Sequence, residues 1–141
     1  MKALQLIKNV LLYIWQLPQN LIGLLLVWIY KPARSHKLDN GVTVYYSNKM
    51  SGGISLGNYS IVMMCHYRKD VEESLKRDTV RHEAIGHALQ SKLLGPLYLL
   101  VIGLPSITWA GLYGTVIEPT PNGYYKFYTE RWADKIANVQ R

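Results

Sequence analysis

The chain has 141 residues, enough for one domain with a modest core. Hydrophobic residues make up 49% and charged residues 18%, with a formal net charge of +7. The cations flank apolar runs and do not line a helix face or a stacking platform, so nucleic acid is not the expected partner. A basic collar around an apolar run fits an anionic membrane surface instead, which makes membrane lipid an expected partner. Cys65 is the lone cysteine. It excludes an intrachain disulfide and a cysteine-based metal site, and reads as a buried small apolar residue.

The first 38 residues carry Lys2, Lys8, Lys31, Arg34 and Lys37, with no acid before Asp39. Between them, residues 10–30 are mostly apolar, interrupted by Gln16, Pro18, Gln19 and Asn20. One helix over this run is about long enough to cross a bilayer, which takes roughly 20 residues. Pro18 would kink it, and the polar patch would seek partners inside protein. No small-x-small site comes after it, so the segment reads as an uncleaved anchor and not as a removed signal peptide. The excess of cations after the segment favours a cytoplasmic position for the rest of the chain. A helix lying in the interface fits the same pattern, and a buried core helix is the remaining alternative. Residues 1–38 thus form an apolar N-terminal helix region with basic flanks, either membrane anchor or packed helix. Residues 39–141 form the second region, including the apolar segment 94–114.

Residues 41–65 read as β structure. Val42, Val44 and Tyr46 alternate with Thr43 and Tyr45, and residues 48–53 have turn chemistry. A second strand or strand pair starts at Ile54 and is broken at Gly57-Asn58. The expectation is an antiparallel hairpin or small antiparallel sheet.

Asp70 and Glu73 have capping-box spacing, and Glu72 adds favourable charge to a first turn. The helix so started should run to about Leu94 and stop at Gly95-Pro96. Residues 97–113 carry no formal charge and contain Gly103, Pro105 and Gly111. They are too broken for a single span and fit a re-entrant or packed helical hairpin. Residues 118–123 are a loop, and a final helix is expected from Tyr124 to Val139.

The long central helix carries His82-Glu83-Ala84-Ile85-Gly86-His87. This is one residue longer between Glu and the second His than the H-E-x-x-H zinc signature. At about 100° per residue, positions i and i+5 diverge by about 140° on a regular helix. A single π-bulge would bring the two imidazoles back onto one face, and Gly86 would ease it. Downstream, Glu130-Arg131-Trp132-Ala133-Asp134 places two acids one turn apart on one helix face. Glu130 could neutralise part of a metal charge, and Asp134 could accept an imidazole N–H and fix its tautomer. Glu83 is poorly placed to ligate a metal held by its neighbour His82, but it could reach a metal-bound water.

At these residues the chain resembles the dipeptidyl-peptidase III family of gluzincin-type zinc metallopeptidases, which carry H-E-x-x-G-H and, later, E-x-x-A-D. The resemblance covers two short motifs and their order. It implies Zn2+ as cofactor, His82, His87 and Glu130 as ligands, Glu83 as general base, and Asp134 as the acid that buttresses a zinc histidine. The wider resemblance to zincins would imply that the edge strand around residues 54–59, which comes before the histidine helix, pairs with an extended substrate. Members of that family are large, soluble and two-lobed. This chain is smaller and more apolar, so only the metal chemistry is carried over, not the release of dipeptides. Tyr124, Tyr125 and Tyr128 lie within two turns of Glu130, where any one could stabilise an oxyanion, or all three could pack. Gln90, within one turn after His87, is placed to orient a ligand or substrate, though an exposed helix residue is the favoured reading; His36 and His66 read as unrelated to the metal.

The expectation is a mainly helical α+β protein. It has minimal zincin-like active-site helices, a small antiparallel sheet and apolar membrane-associated helices. Its expected function is membrane-associated, zinc-dependent hydrolysis of peptide bonds in a peptide or protein substrate. The alternatives are a membrane-associated scaffold with a structural metal or none, and a membrane-active protein without metal.

Overall fold

The computed structural model describes all 141 residues, as a mainly helical α+β fold around a four-stranded sheet. The apolar N-terminal run is two helices, α1 (Lys2–Trp15) and α2 (Leu17–Tyr30), bent by 84° at Gln16. The break stems from Pro18, which lacks an N–H and crowds the carbonyl four residues earlier. Each helix has 14 residues, so each is about 21 Å long against about 30 Å of bilayer hydrocarbon. No single helix is long and apolar enough to cross a membrane, which corrects the expectation of one spanning helix.

The polar patch at the bend is buried and hydrogen-bonded within the protein, except for Gln19 Oε1, which has no partner. Ser91 Oγ donates to Gln16 Oε1 at 2.8 Å, and Gln19 Nε2 donates to the Gly95 carbonyl at 2.8 Å. Asn20 Oδ1 accepts from the Asn58 N–H at 2.8 Å. These bonds tie the elbow to the central helix on one side and to a strand turn on the other.

The strands are β1 (Arg34–Lys37), β2 (Thr43–Ser47), β3 (Gly53–Leu56) and β4 (Tyr59–Met63), in the order β1-β2-β4-β3. The sheet is mixed, not antiparallel: β4 returns from β3 and inserts beside β2, with which it pairs in parallel. β1 and β3 are the edges. Val42, Val44 and Tyr46 point to one face, and with Val62 they pack on Val80, Ala84 and Ala88. That face is the main core.

The central helix is not continuous from Asp70. Asp70 caps a short α3 (Val71–Leu75) by accepting from the Glu72 N–H. A new helical run then covers residues 78–94 as α4 (Asp78–Arg81), a π-helical turn (His82–His87) and α5 (Ala88–Leu94). It stops at Gly95, whose φ of 53° suits a residue without a β-carbon. A second π-helical turn (Leu99–Gly103) leads into α6 (Leu104–Leu112). The chain bends by 118° between the two runs. A short 3-10 turn (Gly123–Lys126) precedes α7 (Tyr128–Ala137), so the last helix begins later than Tyr124. Cys65 is exposed, not buried, because it lies on a 3-10 turn past the end of β4.

Candidate metal centre

The π-helical turn spans the histidine motif from His82 to His87. Its extra residue brings the two rings together, with centroids 4.7 Å apart and planes perpendicular. α7 lies directly across the turn. A β-carbon on Gly86 would sit 2.5 Å from the Ala133 carbonyl oxygen, so glycine is what allows this approach. Glu130 and Asp134, one turn apart on α7, then face the histidines. His82, His87 and Glu130 are all buried and bring three donor atoms within 4.8 Å of one another. This group can hold a metal ion.

Glu130 Oε2 is 3.0 Å from His82 Nε2 and 3.5 Å from His87 Nε2. Donor atoms on a tetrahedral zinc are about 3.4 Å apart, given bonds near 2.1 Å. The outer ring nitrogens are both occupied: His82 Nδ1 lies 2.6 Å from Asp134 Oδ1, and His87 Nδ1 lies 2.7 Å from Gln90 Oε1. Gln90 Nε2 donates to the Thr129 carbonyl at 3.0 Å, which fixes its oxygen toward His87. His87 must therefore carry its proton on Nδ1, and Nε2 presents a lone pair to the Glu130 carboxylate. Two acceptors face each other there, an arrangement that a cation between them satisfies.

Without a metal, His82 carries the positive charge. Burial works to lower the His82 pKa, but hydrogen bonds to Asp134 and Glu130 outweigh it and push it up to about 9. Burial opposes ionisation of Glu130, yet its hydrogen bond with His82 and the closeness of the His87 ring hold the carboxyl well below the usual range. The site is anionic and wants positive charge.

Glu83 is buried beside this group. Ser55 Oγ on β3 lies 2.8 Å from Glu83 Oε2, and Ser60 Oγ lies 2.8 Å from Ser55 Oγ. With Ser60 donating to Ser55, the Ser55 proton is available to Glu83. A β-carbon on Gly53 would lie 2.5 Å from Glu83 Oε1, so this glycine makes room for the carboxylate. Glu83, His87 and Glu130 line one cavity of about 440 Å³ together with Tyr124. Burial, then the charges of Glu130 and Glu83, holds the Tyr124 phenol above its ordinary pKa and so protonated.

The three tyrosines separate. Tyr124 lines the cavity. Tyr125 packs edge-on against His82, with the Arg141 guanidinium 3.6 Å from its ring centre. Tyr128 is half exposed and donates to the Val101 carbonyl, away from the site, because α7 starts there. Gln90, expected on the surface, is fully buried and orients His87. Its position one turn after His87 is the signal for that role. Ser106 lies outside every motif, yet its hydroxyl reaches Glu130 Oε1 at 2.9 Å. Its only mark in the sequence is a hydroxyl, one of two with Thr108, in a helix without charge. Arg141 Nε lies 3.2 Å from Asp134 Oδ2 and braces the acid behind His82. His36 lies on β1 stacked on Tyr67, and His66 ends a 3-10 turn; neither joins the centre.

No protein family, curated protein or solved structure matches the chain.

Proposed function

We propose that the chain is a membrane-associated zinc peptidase that hydrolyses a peptide or protein substrate. One observation carries the reading: two histidines with outward-facing Nδ1 atoms and one carboxylate converge on a point that opens to a cavity shared with Glu83. A structural zinc site is closed by four protein ligands, whereas three ligands with an open side are the catalytic pattern. His82, His87 and Glu130 would hold the ion. When bound, zinc supplies a Lewis acid for a carbonyl and a water of lowered pKa.

The chain's own groups do the rest. Glu83 Oε2 is held by Ser55, leaving Oε1 to take a proton from the attacking water and return it to the leaving amine. Tyr124, kept protonated, donates to the oxygen on which charge develops. On the β3 edge, Gly53 and Ser55 line the cavity. The Met63 N–H donates to the Gly52 carbonyl, so antiparallel alternation turns the backbone groups of Gly53 and Ser55 away from β4. The Tyr98 hydroxyl takes the Ser55 carbonyl. The Gly53 groups and the Ser55 N–H remain for an extended peptide.

Membrane association rests on an uncovered apolar stripe. Leu4, Ile7, Leu11 and Ile14 recur at three- and four-residue spacing on α1, and all are exposed. With Lys2 and Lys8 beside them, this is the pattern of a helix lying in the interface. The cations Lys31, Arg34 and Lys37 after α2 support a cytoplasmic side.

The test is metal analysis and peptide hydrolysis on the purified protein. About one zinc per chain, lost in His82→Ala, together with a Glu83→Gln variant that keeps zinc and loses turnover about 100-fold or more, is the expected result. Zinc retained by His82→Ala, or full turnover by Glu83→Gln, overturns the reading.

A further inference from the structure

The cavity at the metal centre does not end in a polar cleft. Ten of its seventeen lining residues are hydrophobic. Ile22 and Leu26 of α2 form one wall, and Leu104 and Ile107 of α6 another, with Glu83, His87 and Glu130 among the lining residues. The neighbours of these walls on the chain, Leu21, Leu25 and Leu100, are exposed apolar side chains. The catalytic group thus lies in a cavity walled by α2 and α6, and α2 carries exposed apolar side chains beside it.

From this we infer the substrate class: a peptide chain whose apolar segment is delivered from the lipid interface and seated between α2 and α6. This rests on the peptidase reading above. Two features select this occupant. The outward-facing Gly53 backbone groups and the Ser55 N–H call for an extended peptide, which an acyl chain cannot satisfy. Walls of Ile22, Leu26, Leu104 and Ile107 offer no polar partner, so side chains docked there must be apolar. The basic residues around α1 and α2 complement an anionic bilayer and hold the groove at the depth where such a segment emerges. A water-soluble polar peptide gains nothing from the walls and binds weakly.

The experiment uses the full chain in vesicles of zwitterionic and anionic phospholipid. The probe is a peptide with an apolar segment bearing a photoreactive leucine, inserted in the same vesicles. The Glu83→Gln variant serves as the host, so that binding is read without turnover. The expected result is cross-linking to residues of α2 and α6, reduced about tenfold by Ile107→Asp or Leu104→Asp, since a charge must be desolvated against the probe. Both positions are well exposed, so the core is untouched. A polar peptide of equal length should cross-link about tenfold less. Cross-links confined to other surfaces, equal labelling by the polar peptide, or a photoreactive lipid that labels the groove and is not displaced by the apolar peptide each overturn the inference. Groove cross-linking with no cleavage by the parent protein would sink the peptidase reading and leave the groove assignment standing.

Discussion

Gly86 and the Ala133 carbonyl approach so closely that a single β-carbon would lie 2.5 Å from the oxygen. The contact is backbone against backbone, so no flexible side chain can swing aside. It sets the spacing between the π-helical turn and α7, and with it the distance from the histidines to Glu130. Gly86→Ala should push α7 outward, cost about 1–3 kcal/mol of stability, and weaken metal binding about tenfold or more. Chelator competition and urea unfolding measure both. A variant that folds and binds zinc like the parent would show that the two helices do not define the centre.

Gln90 fixes the tautomer of His87 and is itself fixed by the Thr129 carbonyl. Gln90→Met preserves length and apolar volume and removes both bonds. We expect metal affinity to fall about 10- to 100-fold, the usual effect of losing a partner behind a ligating histidine. Gln90→Glu keeps an acceptor for the Nδ1 proton and should lose less. Equal losses in both variants would mean that Gln90 acts by packing alone.

What was legible in the sequence was what short-range spacing encodes. His82 and His87 on one turn, and Glu130 and Asp134 one turn apart, are local statements, and the structure brings all four together. The alternation of Val42, Val44 and Tyr46 likewise marked a buried face. Strand direction was hidden, because alternation looks the same in parallel and antiparallel neighbours. β1 was hidden too: Arg34-Ser35-His36-Lys37 has no apolar rhythm and is a strand only through its pairing with β2. Ser106 and Arg141 reach Glu130 and Asp134 through tertiary folding, which no local pattern records. The late start of α7 comes from Phe127, whose extended backbone (ψ 142°) caps the helix and sends Tyr128 outward.

Membrane attachment should be separable from the metal. Leu25 and Trp28 on α2 are exposed and have no partner in the core clusters. Burying each in lipid contributes about 1.5–3 kcal/mol, so Leu25→Asp with Trp28→Asp should release the protein from anionic vesicles in a flotation assay. The same change should leave zinc content at about one per chain. High salt should weaken binding of the parent, because the cations near α1 and α2 are screened. Flotation unaffected by both treatments would mean that another surface meets the bilayer.

The sign of the pH dependence is set by His82. Its folded pKa is raised from 6.5 to about 9 in the metal-free protein, so the charged ring stabilises the fold fully below about 6.5. That contribution is lost as pH rises through about 9. Metal-free protein should therefore become less stable between these values. Glu130 acts at the other end: its depressed carboxyl contributes above the ordinary carboxylate range and is lost only on strong acidification. On the proposed coordination zinc would reverse the alkaline trend, because it would replace the proton at His82 Nε2 and binding would release that proton. The stabilisation added by zinc should grow as pH rises from 6.5 to 9, with proton release visible by calorimetry in buffers of different ionisation enthalpy. His82→Ala should flatten the metal-free profile across this window. If zinc stabilises the parent equally at both ends, with no proton released, His82 is not a ligand.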